Sequence, residues 1–199
     1  MAKSEANEGK DLSVKGGAKR RGRQPLPVRA QSFQEISASW RRERPDLDLE
    51  NLLLSIALTR LARLQDARYE TMCNERFGIT ASEMRLLFAL RRSGRPYARR
   101  PTDLFRALIV TSGAITKQVN RLVAKNLVER TNDPLHAGGF LVHLTPKGLK
   151  VANAASEDQA KNSLIADGMA SLTSKQREQG IAFIEHLLAS MEAAYEPER

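Results

Sequence analysis

The chain has a single cysteine, Cys73, so no internal disulfide can form and nothing calls for an oxidising compartment. No stretch approaches the roughly 18 apolar residues that a membrane span needs, and the polar, lysine-bearing start has no apolar core of an export signal. A cytoplasmic protein without a membrane partner is the expectation. Phosphate loop, nucleophile elbow and catalytic dyad are all missing, which argues against an enzyme and against any cofactor. The three histidines, His136, His143 and His186, lie far apart without companion cysteines or a spaced carboxylate motif, so no metal site is expected. No internal repeat is visible.

What the chain does have is positive charge. The 199 residues carry a formal charge of +9, and it is unevenly placed: +5 over residues 1–30, −2 over 31–84, +10 over 85–150 and −4 over 151–199. A basic tail and a basic central module on a mildly acidic scaffold suit a polyanionic partner, since such surfaces attract phosphate before specific contacts form. Simple solvation of excess charge is the alternative.

Residues 1–30 are rich in Lys, Arg, Gly and Ala with few large apolar side chains and read as a disordered tail. From there to residue 195 the pattern is that of one domain. Phe33, Ile36 and Trp40 recur at helical spacing until Pro45. After PDLD, a long run from 49 to about 77 puts Leu49, Leu53, Ile56, Ala57, Leu61 and Leu64 on one stripe. Gly78 closes it, Thr80 or Ser82 can cap the next helix, and Ser93 and Gly94 break that one.

Over 100–145 the period changes. A short helix over 102–108, a tight turn at 110–112 and a second helix over 113–126, with Ile115, Val119 and Leu122 inward, make a helix-turn-helix pattern. Two short apolar runs, LVER at 127–130 and FLVHL at 140–144, flank the polar TNDPLHAGG and predict a β-hairpin or wing. Thr145 and Pro146 then start a helix expected to run through Met169. A last helix, from about 173 to 195, repeats apolar side chains at 181, 184, 187, 188 and 191.

A helix lying in the major groove must show short polar and basic groups to base edges and phosphates. Opposite the inward residues of the 113–126 helix stand Gly113, Lys117, Asn120, Arg121 and Ala124, with Thr116 at the margin. Thr111 and Ser112 sit at its N-terminus, where hydroxyls and free N–H groups suit a phosphate. His136 in the wing completes this DNA-binding set.

Three segments, LLFALRRSG, LFRALIVTSGAITKQVNRLVAKNLVERTNDP and VHLTPKG, resemble the MarR family of bacterial regulators. The resemblance implies a mainly α (α+β) winged helix-turn-helix fold. In it, residues 79–145 form the DNA-binding module, while 31–77 and 146–195 supply dimerisation helices. It further implies a homodimer on a pseudo-palindromic double-stranded operator, with the 113–126 helix as reader and repression as the usual outcome.

In the wing, the family's usual Asp-Pro-x-Asp-Arg-Arg is here Asp133, Pro134, Leu135, His136, Ala137, Gly138. Without the arginine pair the wing gains little from the minor groove's negative potential. The tail offers another route: KRRGRQP at 19–25 resembles an AT-hook, placing Arg21 and Arg23 in a narrow A·T minor groove, although Gln24 interrupts its core. A merely basic, non-specific tail is the alternative.

Trp40, PDLD, the extra first helix and RPTDL at 100–104 are similar to the PecS and urate-responsive branch of that family. The branch implies an effector pocket of a tryptophan in the extra helix, an aspartate before the DNA-binding pair and an arginine in the recognition helix, with an acid–arginine pair as the link to DNA. Here Trp40 stands, Asp103 with Arg130 can form the link, and Arg85 and Gln118 replace the aspartate and the arginine. That inversion of charge argues against urate. A pocket of Trp40, Arg60, Arg85 and Gln118 instead suits a small aromatic carboxylate, its acid on guanidinium and its ring under the indole. Cys73, near Glu70 and Glu75, reads as a packing residue.

The expected function is therefore a homodimeric, sequence-specific transcriptional regulator released by such a ligand. The alternative is an architectural, non-specific DNA-binding protein without ligand control.

Overall fold

The computed structural model describes residues 31–195, and the chain divides into two units between Leu49 and Glu50. The basic tail, with Arg21 and Arg23, lies outside the described residues. In the first unit, α1 (Phe33–Glu43) is held by a capping box: the Ser32 hydroxyl accepts from the Glu35 amide at 3.2 Å, and the Glu35 carboxylate accepts from the Ser32 amide at 2.6 Å. Each bond satisfies a helix-end donor that would otherwise lack a partner.

The second unit begins with α2 (Glu50–Phe77), a helix of 28 residues that stops at Gly78, whose φ of +64° suits a residue without Cβ. The single stripe expected along α2 is only partly realised. Leu53, Tyr69 and Cys73 are buried, whereas Leu61 and Leu64 are 55% and 53% exposed, because their stretch of α2 projects past the helices that cover its ends. Thr80, not Ser82, caps α3 (Ala81–Arg92). This helix is the centre of the unit: seven of its twelve residues are buried, and it packs on α2, on β3 (Phe140–Leu144) and on the helices that flank the strands.

Those helices are α4 (Pro101–Leu108), α5 (Ser112–Ala124) and α6 (Pro146–Asn162). Leu86, Leu87 and Leu90 of α3, Leu104 of α4, Ile115, Val119 and Leu122 of α5, and Val142 of β3 close the core at or near zero exposure. Each such side chain contributes about 1.5–3 kcal/mol on leaving water. The hairpin pairs β2 (Val128–Asn132) with β3 from Val128↔Leu144 to Asn132↔Phe140. A two-residue strand unforeseen in the sequence, β1 (Ala98–Arg99), adds to the other side of β3, giving the antiparallel order β1-β3-β2.

The α5–β2 connection is locked to the start of α6. Thr145 takes its place as N-cap by accepting from the Gly148 amide at 2.9 Å, donates its own hydroxyl to the Asn126 carbonyl at 2.9 Å, and gives its amide to the Leu127 carbonyl at 3.2 Å. A Cβ on Gly148 would lie 1.9 Å from that same Leu127 oxygen, so only glycine lets the two backbones meet. The continuous helix expected through Met169 is broken: Ser163 turns extended (φ −84°, ψ 158–159° range at its cap, 159° as found) and caps a separate α7 (Leu164–Ala170) by accepting from the Ala166 amide. The last helix, α8 (Ser174–Ala194), buries none of its residues completely. Ile181, Phe183, Leu188 and Met191 are each about half exposed.

Candidate nucleic-acid interface

The turn between α4 and α5 is made by Ile109, which adopts φ 53°, ψ 51° and is 65% exposed. A β-branched residue pays heavily for this left-handed conformation, ordinarily glycine's. Replacing Ile109 by glycine is expected to raise stability by about 1 kcal/mol, seen as a thermal midpoint about 3 °C higher. Thr111 follows as N-cap of α5, its hydroxyl accepting from the Ala114 amide at 3.3 Å.

On α5, Ser112, Gly113, Thr116, Lys117, Asn120 and Arg121 are all exposed, as their helical phase requires, while Ile115, Gln118, Val119 and Leu122 are buried. Their side chains nevertheless have different fates. Thr116 donates to the Ser112 carbonyl at 3.1 Å. Asn120 accepts through Oδ1 from the Arg130 guanidinium, which also lies 4.9 Å over the Phe140 ring, so hairpin and helix brace one another. Lys117 forms no hydrogen bond or ion pair among the described residues and is free to meet a phosphate.

Arg121 is a different case. Its Nε donates to Glu83 Oε1 at 2.5 Å, and Glu83 is only 1% exposed. The Lys125 ammonium sits 4.0 Å from the other carboxylate oxygen and also donates to the Gly78 carbonyl. Burial alone would push the Glu83 carboxyl up, but the Arg121 hydrogen bond, the Thr80 amide and Lys125 together hold it below its ordinary value. Arg121 thus anchors the recognition helix to the start of α3, a role its position on the outer face did not reveal. The signal was available: Thr80-x-x-Glu83 is a capping box, with both reciprocal bonds present.

The wing folds around Asp133. Its amide donates to the Gly139 carbonyl at 3.0 Å, one carboxylate oxygen accepts from the Leu135 amide at 3.0 Å, and the other accepts from Arg100 Nε at 2.5 Å. The Arg100 guanidinium, then the Leu135 amide, keep this carboxyl below the usual carboxylate range. Leu135 and His136 stand outward at the tip, and His136 Nδ1 is 3.5 Å from Asp133.

The expected pair of Asp103 and Arg130 does not form. Arg130 is drawn to Asn120 and Phe140, and Asp103, in the first turn of α4, makes no ion pair. The acid–arginine link that exists joins Arg100, at the N-cap of α4, to Asp133 in the wing. The expected effector residues are also occupied otherwise. Arg85 pairs with Asp66 and lies 5.6 Å over the Tyr69 ring; Arg60 is engaged in an interaction of its own. Gln118 is 7% exposed, its Oε1 without a partner. Trp40 lies on α1 in the first unit, 37% exposed. Burial pushes the Cys73 thiol up to about 11, in keeping with a packing residue. Three arginines not singled out from the sequence, Arg92, Arg99 and Arg106, line one cleft with Asp103; the +10 charge over 85–150 was their only trace.

Residues 77–137 match the MarR family. The chain is 30% identical over 128 residues to the HTH-type transcriptional regulator PecS of Dickeya dadantii (strain 3937), covering 64% of this chain and 76% of that protein. It is 31% identical over 136 residues to the multiple antibiotic resistance protein MarR of Escherichia coli (strain K12), covering 67% and 89%. The chain belongs to the MarR family. As a MarR-family protein it is a DNA-binding transcriptional regulator and not an enzyme. Its fold agrees: a mutant MarR from E. coli solved in complex with operator DNA is 28% identical and superposes with a TM-score of 0.53 over 73% of this chain and 99% of that one. Among the described residues of this MarR-family chain, no helix is long and apolar enough to cross a membrane.

Proposed function

We propose that this protein is a cytoplasmic, homodimeric repressor that holds a pseudo-palindromic operator through α5 and is released by a small aromatic carboxylate. The observation that carries the reading is the exposed face of α5, where Ser112, Gly113, Thr116, Lys117 and Asn120 lie beside the Thr111 cap within the most basic part of the chain. Short polar groups read base edges and Lys117 meets a phosphate. Arg121 and Arg130 act one step back, fixing the helix and Asn120. The apolar side chains left open along α8 supply a surface for a second copy, and a two-fold protein matches an inverted-repeat site.

A shift assay on the DNA flanking the gene, at fixed salt and with a panel of aromatic carboxylates, tests the reading. Tight binding to one inverted repeat, lost with one compound, is expected. Replacing Lys117 by glutamine should weaken binding to all sequences alike and lower the salt slope by about 0.9 per protomer; an unchanged slope would remove Lys117 from the interface. The second reading, an architectural DNA-binding protein, is favoured by the wing tip, where Leu135 is 79% exposed and no arginine stands. Binding indifferent to sequence and ligand in the same assay would select it.

A further inference from the structure

Away from the DNA-binding face, a cleft of about 180 Å³ opens between the C-terminal half of α2 and the joint of α6 with α7. Its lining includes Gln65, Arg68, Tyr69 and Met72 from α2, Asp158 from α6 and Leu164 from α7. Two of the polar atoms there are buried and lack any partner: the Tyr69 hydroxyl and the Gln65 side-chain carbonyl oxygen. Tyr69 is only 6% exposed. A buried polar atom left unpaired ordinarily costs about 1–3 kcal/mol, and folded proteins leave few of them. These two stand one helical turn apart on the same face of α2, so a single small group can satisfy both.

The groups around them narrow what that group is. Burial holds the Tyr69 hydroxyl above its ordinary range, which leaves it a neutral donor. Gln65 Oε1 can only accept. The matching ligand group both accepts and donates, as a hydroxyl does. Asp158 already has Arg76 and Asn162 as partners, whereas Arg68 forms no hydrogen bond or ion pair among the described residues, although its charge reaches Asp158. Arg68 is therefore the cation available to an acid. Met72 and Leu164 give the apolar walls, and the volume falls below the roughly 300 Å³ where drug-sized sites begin, leaving room for one ring.

We propose that this cleft binds a single-ring phenolic acid, whose hydroxyl accepts from Tyr69 and donates to Gln65 while its carboxylate faces Arg68. The site deepens the ligand-controlled reading above and rests on it only for the link between binding and DNA release.

Calorimetric titration of the full chain with 4-hydroxybenzoate, benzoate and phenol tests the proposal. The expected result is binding of 4-hydroxybenzoate that weakens about tenfold in Tyr69→Phe, while benzoate binds that variant and the parent alike. Arg68→Gln should weaken both acids and leave phenol unchanged. Because the lost hydroxyl had no protein partner, Tyr69→Phe should keep the parent's thermal midpoint and DNA affinity, which separates a ligand contact from a structural one. Absence of binding at millimolar 4-hydroxybenzoate, or equal affinity in Tyr69→Phe, overturns the site. A shift assay with the same compounds separates the two readings. Tyr69-dependent binding that leaves DNA bound upholds the site and tells against ligand control; DNA release that persists in Tyr69→Phe upholds control and overturns the site.

Discussion

Replacing Gly148 by alanine is expected to destabilise the fold by about 3 kcal/mol, lowering the thermal midpoint by about 10 °C. The added methyl would meet the Leu127 carbonyl at 1.9 Å, and neither side can yield cheaply. Leu127 lies between the end of α5 and β2, with its carbonyl already accepting from the Thr145 amide and its own amide donating to Leu122. On the other side, Gly148 is fixed by the Thr145 cap. Relief therefore requires α6 to back away from the α5–β2 connection, which also opens the bond from the Thr145 hydroxyl to Asn126. Denaturation monitored by circular dichroism checks this. A Gly148→Ala protein within about 0.5 kcal/mol of the parent would mean that the two backbones are farther apart than described.

Removing Arg121 is expected to be nearly as damaging, for an electrostatic reason. In Arg121→Ala the Glu83 carboxylate stays buried with only the Thr80 amide and a more distant Lys125 to support it, a loss of about 3 kcal/mol. Glu83→Gln should cost less, because a neutral amide can still take the cap position and Arg121 regains water. The double variant is then expected to be more stable than the sum of the single losses predicts by at least about 1 kcal/mol. Were Arg121 instead a base contact, its loss would relax specificity at one base pair and leave the thermal midpoint alone.

The pair also has a pH signature. Glu83 is held below its unbound value of 4.5, so its contribution is present in full above that value and is lost as pH falls through the lower folded pKa. The stability gap between the parent and Glu83→Gln should accordingly narrow below about pH 4.5, as midpoints measured from pH 7 to pH 3 would reveal. A gap that stays constant over this range would show that the carboxylate gains nothing from its partners.

Much of the architecture could be read in the sequence because the strongest signals are local. The periodicity of Ile115, Val119 and Leu122, the Thr145-Pro146 helix start and the alternation at FLVHL each depend on near neighbours alone. The misses share another cause. β1 is two residues long and exists because β3 offers it an edge, a fact that no pattern at Ala98–Arg99 can carry. Ser163 interrupts a run of good helix formers by capping the next helix with its own hydroxyl, and a helical period shows no trace of such a break.

The candidate site divides the same way. A helical wheel gives the direction of a Cβ, and for Gly113, Thr116, Lys117 and Asn120 that direction sufficed to place them on the exposed face. It misplaced the end of Arg121, whose long side chain turns back to a carboxylate 38 residues earlier in the chain. The expected Asp103–Arg130 link failed likewise: Arg130 has Asn120 and an aromatic ring within reach, and those contacts depend on how the hairpin folds over α5. Tyr69 and Gln65 could not be singled out at all, since an unpaired buried atom is defined only once its surroundings are in place.

The open apolar row along α8 has a consequence for behaviour at low copy number. A helix of 21 residues that completely buries nothing of its own has little to hold it in water beyond hydrogen bonds and capping, since most helical stability in proteins comes from packing. Under the two-copy reading its order is a matter of mass action, so that dilution melts it and a rising concentration restores it. The cell's supply of the protein would then set how sharply operator occupancy responds, with promoters silenced only once enough chains are made for each to find a companion.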